Sequence, residues 1–464
     1  MDENKKYEST LFPYITSERQ KYWQVLVGKY RLTIQELRLA LEAAIDLEMW
    51  GATADFRTLL NSWEEEAAGA GVAKSLQQGR ERKEWFLHRL FTFWENEKKR
   101  KKVHVAVTVA ATAAVVEFKA IDSGTKIAGM CPVASEKTVC CNLRTVDVLQ
   151  GCHYQCSYCS VQTFYTSSTQ NKNYGKKVIN YEINLLEKLN RISEYLLPKG
   201  QKRYHLGIGQ SSDGLLLGKL SGGGGGGFDA LFDFLRGHRH FILELKSKSA
   251  QVENFLLAMD RHRRKYGANG ANRANSDIAR NLFCSWTLNT NAIICGEEHL
   301  APSVEERLAA ARAVADQGVK VAFHFHPIVY YQNWEDEYAQ VVSKVLTMFS
   351  PREIAMISFG TVTLIRPVIK QLRIRGASEN LKSKILQMPL CETAVKGRWS
   401  YPEEIKIEMF KHLYGKFSAW HDQLFFYLCM ESSKCWEKVF GRCYPNNHAF
   451  EEDICNALQI ALAL

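Results

Sequence analysis

The chain has 464 residues, a formal net charge of +10 and 46% hydrophobic residues, with Phe, Tyr and Trp all abundant. That length and apolar content exclude a disordered chain and allow one large domain with extensions, or two or three smaller ones. Thirteen Cys in a chain of this size do not read as a small secreted disulfide scaffold and fit a reducing compartment.

The first residues, Met1-Asp-Glu-Asn-Lys-Lys, are charged and carry no apolar stretch of the kind a secretory signal needs. Residues 1–102 read as a helical N-terminal extension. Thr33-x-x-Glu36 is a capping box ahead of Leu37, Leu39, Leu41, Ala44 and Leu47 at helical spacing. A second amphipathic helix is expected over Arg80–Lys102, ending in Lys98-Lys-Arg-Lys-Lys102. Such a run is either a solvated helix end that suits the dipole or a phosphate contact. Residues 103–142 read as lead-in strands. The weakly polar run Val103–Val116 within them is too short for a bilayer span, so a cytoplasmic protein without membrane contact is expected.

Over residues 143–376 strand-like and helix-like segments alternate. The strands are expected at Leu143–Leu149, Tyr204–Gly209, Phe241–Leu245, Leu282–Asn289, Val319–Phe325 and Ile354–Gly360. Helices are expected at Val178–Leu197, Phe228–Leu235, Ala250–Tyr266, Val304–Gln317, Glu335–Phe349 and Pro367–Arg375. Repeated strand–helix units imply a parallel sheet with right-handed crossovers. The economical fold is α/β, a partial (β/α)6 TIM-type barrel with functional residues at the C-terminal ends of its strands. Ser221 and the glycines Gly222–Gly227 read as a flexible loop, not a phosphate cradle, because no strand and no Gly-Lys-Ser/Thr ending flank them. Lys265–Asp277 reads as a mobile surface insertion. Residues 377–464 read as a C-terminal α+β extension.

After the first strand comes Gly151-Cys-His-Tyr-Gln-Cys-Ser-Tyr-Cys-Ser160. Cys152, Cys156 and Cys159 have the C-x3-C-x2-C spacing that can hold three irons of a [4Fe-4S] cluster. A cluster with four Cys ligands is an electron carrier; one with an open iron can bind a cofactor or substrate directly. This spacing resembles that of radical SAM enzymes, whose open iron chelates S-adenosyl-L-methionine. Zinc is the competing occupant, but it usually takes four ligands from separated pairs, and His153 is awkwardly adjacent to Cys152. A third reading is a nucleic-acid-binding protein with a structural metal site.

Further segments make the resemblance more specific. Cys152-x3-Cys156-Ser-Tyr158-Cys159, Gly209-Gln-Ser-Ser-Asp213, Glu244-Leu-Lys-Ser-Lys248-Ser, Ser285-Trp-Thr-Leu-Asn289, Phe323-His-Phe-His-Pro327-Ile, Gly360-Thr and Tyr401-Pro402 resemble spore photoproduct lyase, a radical SAM family. The likeness runs over about residues 130–450. It implies repair of thymine photodimers in DNA by a 5′-deoxyadenosyl radical, with flavodoxin or ferredoxin as electron donor. It also implies cluster ligation by Cys152, Cys156 and Cys159, and contacts to S-adenosyl-L-methionine from Ser212, Asp213, Lys248, Thr287 and Asn289. Asp213 as a helix cap, Lys248 as a solvated cation and Asn289 as a turn residue are the plainer alternatives.

The chain also departs from that family. Gln210 stands where the lyases carry the Cys that returns a hydrogen atom, and an amide N–H is a poor hydrogen-atom donor. Ser160 replaces a relay Tyr, while Tyr158 is kept as a catalytic candidate. Cys284 is a replacement donor, as are Cys131, Cys140 and Cys141, although free Cys is often a small buried hydrophobe. Lys396, Arg398, Trp399 and Tyr401, with His421, suit a hairpin that grips DNA, or an ordinary turn with core aromatics. A different nucleotide, RNA or peptide substrate on the same scaffold is the alternative the departures favour.

Overall fold

The computed structural model describes residues 7–69, 79–100, 115–122, 124, 127–131, 137–164, 176–220, 226–266 and 278–463. Its eight-stranded sheet is ordered β14-β10-β9-β8-β7-β6-β3-β2. The strands are β2 (Ala128–Met130), β3 (Arg144–Val146), β6 (Tyr204–Ile208), β7 (Phe241–Ser247), β8 (Leu282–Thr287), β9 (Lys320–Ile328), β10 (Ile354–Thr361) and β14 (Phe426–Leu428). Every pair from β3 to β14 is parallel; β2 is an antiparallel edge. The inner strands are almost wholly buried, which is why they read as mainly apolar runs with only isolated polar residues.

The intervening helices are α5 (Leu185–Leu196), α6 (Gly226–Gly237), α7 (Glu253–Tyr266), α8 (Asn291–Glu297), α9 (Val304–Ala315), α10 (Trp334–Met348) and α11 (Arg366–Glu379). α9 begins on a capping box from Ser303 and Glu306. Gly318, at φ +73°, turns the chain back just before β9. This is the partial (β/α)6 barrel. Its sheet curls until the two edges meet: Val139, ahead of β3, forms an antiparallel bridge with Glu431, just after β14. The C-terminal helix α14 (Asn447–Ala463) lies against the starts of β3 and β6. There its Glu451 pairs with Arg144 and accepts from Gln201 at 2.9 Å, and its Gln459 accepts from Arg203 at 2.9 Å.

Two expectations change. Val178–Glu182 is not helical: β5 (Lys176–Glu182) pairs in parallel with β1 (Val115–Ile121) and antiparallel with β4 (Leu149–Gln150), and the helix starts only at Leu185. Val178, Ile179 and Tyr181 are strand formers, and sheet pairing outweighs the helical spacing that follows. The expected first strand, Leu143–Leu149, is likewise two strands, β3 in the main sheet and β4 in the small one. Residues 221–225 and most of the Lys265–Asp277 insertion lie outside the described residues, as do Lys101 and Lys102 and most of Val103–Val116, whereas Gly226 and Gly227, expected in the flexible loop, begin α6.

The N-terminal helices α1 (Ser17–Tyr30), α2 (Ile34–Met49), α3 (Phe56–Gly69) and α4 (Gly79–Lys99) build a core of their own. Trp23 stacks on Phe56 at 5.4 Å and Tyr30 on Phe86 at 4.3 Å. Lys98 lies over the Trp94 ring at 3.3 Å and bonds Glu95, while Arg100 pairs with Glu97. Lys98 and Arg100 of the basic run are thus engaged by residues of α4, while Lys99 is exposed. This layer docks on α11. Gly376 lets the two helices approach closely: a Cβ there would come within 2.5 Å of Met49 Sδ and 3.0 Å of Ile45 Cγ2.

Candidate functional site

The cysteine loop leaves β4 at Gly151, which has φ +97°, and its carbonyl accepts from Ser212 Oγ at 2.5 Å. Gln155 is left-handed at φ +58°, a conformation a non-glycine residue holds only when its surroundings enforce it. Ser157 N donates to Glu297 O at 2.8 Å, and Cys159 N to Cys156 O at 3.2 Å. Cys159 then leads into a single turn of 3-10 helix, Ser160–Thr163.

The three thiols feel one another. Burial, then Cys156 and Cys159, push the Cys152 thiol well above its ordinary value. Burial pushes Cys156 up to about 11, against the pull of Lys248. Clustered thiols resist ionisation without a cation and ionise when one binds. Three soft donors on one short loop fit an iron–sulfur cluster. Among the described residues, no group of three or more His, Cys, Asp and Glu side chains already stands as a site that could hold a metal ion.

Beneath the loop lies a buried charge network. Glu298 Oε1 accepts from Lys248 Nζ at 2.7 Å and from the Tyr158 hydroxyl, while Oε2 accepts from Arg307 Nη2. Lys248 Nζ also donates to the Tyr158 hydroxyl at 2.7 Å. Glu298 and Arg307 are fully buried. Burial raises the Glu298 carboxyl, but Arg307 and Lys248 outweigh it and hold it well below its usual range.

Of the five residues expected at S-adenosyl-L-methionine, two are fully used inside the protein. Asp213 is buried and accepts from Leu215 N, Lys248 N and Ser247 Oγ. It is the cap of the turn after β6 and the brace of β7's end, which corrects the expectation of a cofactor contact. Asn289 is likewise enclosed, donating to Pro327 O at 3.1 Å and accepting from the Tyr338 hydroxyl. Ser212, Lys248 and Thr287 remain half-buried around the strand ends. Lys248 is an ion-pair member, not a solvated cation.

Strand alternation sorts the remaining thiols. Glu244, Lys246, His324 and Ser358 share the inner face. Glu244 accepts from Lys246 Nζ at 2.8 Å and lies 2.9 Å from His205 Nε2 and 2.6 Å from His324 Nε2. His324 Nδ1 and His326 Nε2 both meet Ser358 Oγ. Cys284 pairs in register with Leu245 and Val321, so it points to the opposite, helix-covered face, where it is wholly buried. That geometry removes Cys284 as a donor to anything in the lumen. Cys429 is on the inner face: its N–H donates to Phe359 O at 2.8 Å, and a Cβ on Gly360 would lie 3.5 Å from its own Cβ. Burial, then Cys131 and Cys140, keep the Cys429 thiol protonated. Cys131, Cys140 and Cys141 gather around it at the seam between the sheet edges. There a hydrogen bond between the neighbouring thiols lowers Cys140 to about 7 and raises Cys141.

Comparison with known proteins gives this arrangement its family. A model of the family described as spore photoproduct lyase matches residues 142–373, half of the chain. The chain belongs to the spore photoproduct lyase family. A curated spore photoproduct lyase from Clostridium acetobutylicum is 29% identical over 69 residues, 15% of this chain. The match spans only a fifth of that relative's length. Two solved structures are similar in fold. A spore photoproduct lyase complexed with dinucleoside spore photoproduct has a TM-score of 0.50 at 18% identity, covering 61% of this chain and 76% of that one. A mutant with bound AdoMet and dinucleoside spore photoproduct has a TM-score of 0.51 at 17% identity, covering 68% and 82%.

The resemblance implies a DNA-gripping hairpin around residues 396–401. A small sheet stands there, with β11 (Thr363–Ile365), β12 (Cys391–Glu392) and β13 (Arg398–Ser400) all antiparallel. Lys396 is exposed at its turn, Arg398 is half-buried, and Trp399 lies under Arg366. Tyr401 is 2% exposed and its hydroxyl accepts from Tyr330 N at 3.0 Å, so it is a core residue and not a substrate contact. His421 stacks on Tyr414 and bonds its carbonyl. The sequence reading missed Glu297, Glu298 and Arg307. One signal was available: Arg307 falls in the apolar stripe Val304, Leu308, Ala311 of α9, where an unpaired cation cannot be buried.

Proposed function

We propose that the chain is a radical SAM enzyme of the spore photoproduct lyase type, acting on thymine photodimers in DNA. Cys152, Cys156 and Cys159 would hold a [4Fe-4S] cluster. When bound with S-adenosyl-L-methionine, such a cluster supplies a 5′-deoxyadenosyl radical. The observation that carries this reading is the placement of three cysteines on one short loop at the strand ends of a partial barrel, with the loop's own Tyr158 bonded to Lys248 from the end of β7.

The protein's own residues have clear tasks in this reading. Ser212 fixes the loop's first carbonyl and, with Thr287 and Lys248, lines the strand ends where the cofactor binds. Asp213 and Asn289 position those ends from behind. Glu298 fixes Lys248 and holds Tyr158, between Cys156 and Cys159 on the cluster loop, as a neutral phenol. Exposed Lys396 and half-buried Arg398 suit phosphate contacts. The reductant would be a flavodoxin- or ferredoxin-type donor, and the setting cytoplasmic. Among the described residues, no helix is long and apolar enough to cross a membrane.

Gln210 favours a second reading, the same radical chemistry on another nucleotide, RNA or peptide. If a hydrogen atom is returned to a product radical, the inner-face thiol able to give it is Cys429. Anaerobic reconstitution with iron and sulfide, followed by a deoxyadenosine assay with and without irradiated DNA, tests both. Deoxyadenosine with thymine release supports repair. Deoxyadenosine without release leaves the second reading. Deoxyadenosine formed by Cys156→Ala would reject the cluster assignment.

A further inference from the structure

The N-terminal helices lie outside the span matched by the family, yet they connect to the cysteine loop through α11. Arg373 donates to both Asp46 oxygens at 3.0 and 2.9 Å and pairs with Glu42, tying α11 to α2. Two residues on, buried Arg375 turns the other way. Its Nη2 donates to Gln155 Oε1 at 3.3 Å and its Nη1 to Gln162 Oε1 at 3.4 Å. Gln155 is the left-handed residue between Cys152 and Cys156, and Gln162 lies just past Cys159. Gln162 in turn donates to Ser157 O at 2.9 Å. One guanidinium fork therefore holds the three-cysteine loop at an interior residue and at a residue just beyond it.

A second brace runs in parallel. Met49 O, at the end of α2, accepts from Ser383 N at 3.2 Å. Ser383 Oγ donates to Glu297 Oε2 at 2.6 Å, and Lys384 N to Glu297 Oε1 at 2.7 Å. Glu297 then holds Ser157 through both its carbonyl and its carboxylate.

We infer that Arg375 is a positioning residue for the cluster loop, with the N-terminal helical layer as its outer support. This rests on the cluster assignment proposed above. A planar five-donor fork can fix a strained loop in a way a single ammonium cannot. Groups that orient ligands from behind typically change metal retention about 10- to 100-fold when removed.

The test measures iron release from anaerobically reconstituted full-length protein to a ferrous chelator, alongside thermal melting of the metal-free chain. Arg375→Ala should release iron at least about tenfold faster while the metal-free melt stays close to wild type. Arg375→Lys should give a smaller acceleration. Asp46→Asn with Glu42→Gln, far from the loop, should act in the same direction. Should Arg375→Ala fail to fold, Gln155→Gly with Gln162→Ala removes both acceptors, suits the left-handed backbone and should show the same faster release. Unchanged release in these variants overturns the inference. A wild-type chain that assembles no cluster sinks the proposed function and this inference together; a wild-type cluster with unaltered release in the variants sinks this inference alone.

Discussion

Lys248 and Glu298 meet at 2.7 Å beneath the cysteine loop, and the Tyr158 hydroxyl bonds both of them. The pair joins the end of β7 to the end of α8, so the position of the tyrosine is set by charge rather than by packing alone. Glu298→Gln leaves Arg307 buried without its counter-ion. Removing one partner of a buried pair costs about 3–5 kcal/mol, and urea unfolding of the metal-free chain should show a loss of that order. The native carboxyl is held below its unfolded value, so its stabilising contribution exists above the unfolded pKa and disappears as pH falls through the native one. The variant should therefore also lose part of the acid limb of the stability profile.

Its neighbour Glu297 behaves oppositely. Burial pushes its carboxyl up to about 7, although Ser157 and Ser383 donate to it. A raised carboxyl binds its proton more tightly in the folded state, so that contribution is full below the unfolded pKa and is lost as pH rises to about 7. Between pH 5 and 8, Glu297→Gln should flatten the decline in stability by up to about 3 kcal/mol. Parallel melts of both proteins across that range would expose an unchanged slope if the carboxyl is ordinary.

On the hairpin, Lys396→Ala and Arg398→Ala should each weaken binding to a duplex oligonucleotide independently of sequence. Each should lower the salt slope of the binding constant by about 1. Fluorescence anisotropy over a salt series reads both quantities. Tyr401→Ala should instead cost about 3–5 kcal/mol of stability, as large core truncations do.

Cys284→Ala should leave the product distribution of the reconstituted enzyme unaltered, because its sulfur lies on the far side of the sheet. Cys429→Ala should shift products toward adducts while deoxyadenosine formation persists. Chromatography of the reaction products separates these outcomes, and a changed distribution in Cys284→Ala would contradict the alternation on β8.

The barrel was legible because parallel strands buried on both faces, such as Phe241–Leu245 and Ile354–Gly360, are apolar at all but one position each, Glu244 and Ser358. The cysteine loop was legible from spacing alone. Partnerships across the fold were not. Glu297-Glu298 reads as a solvated helix end, and only the long-range approach of Arg307, Lys248 and Ser383 makes it a buried hub. Asp213 and Asn289 sit where the resemblance placed them, but hydrogen bonds to Ser247 and Tyr338 decide what their side chains can reach. Cys284 and Cys429 differ by strand face, which depends on register, and Gln155's left-handed backbone has no local sequence cue.

The meeting of Val139 with Glu431 bears on how the molecule is made. β14 and α14 leave the ribosome after every other strand of the sheet has emerged. Until they arrive β10 keeps a bare edge and the starts of β3 and β6 stay uncovered, a template for pairing with neighbouring nascent chains. A message cut short before Phe426 would accordingly yield a sticky, aggregation-prone remnant and not a smaller working enzyme.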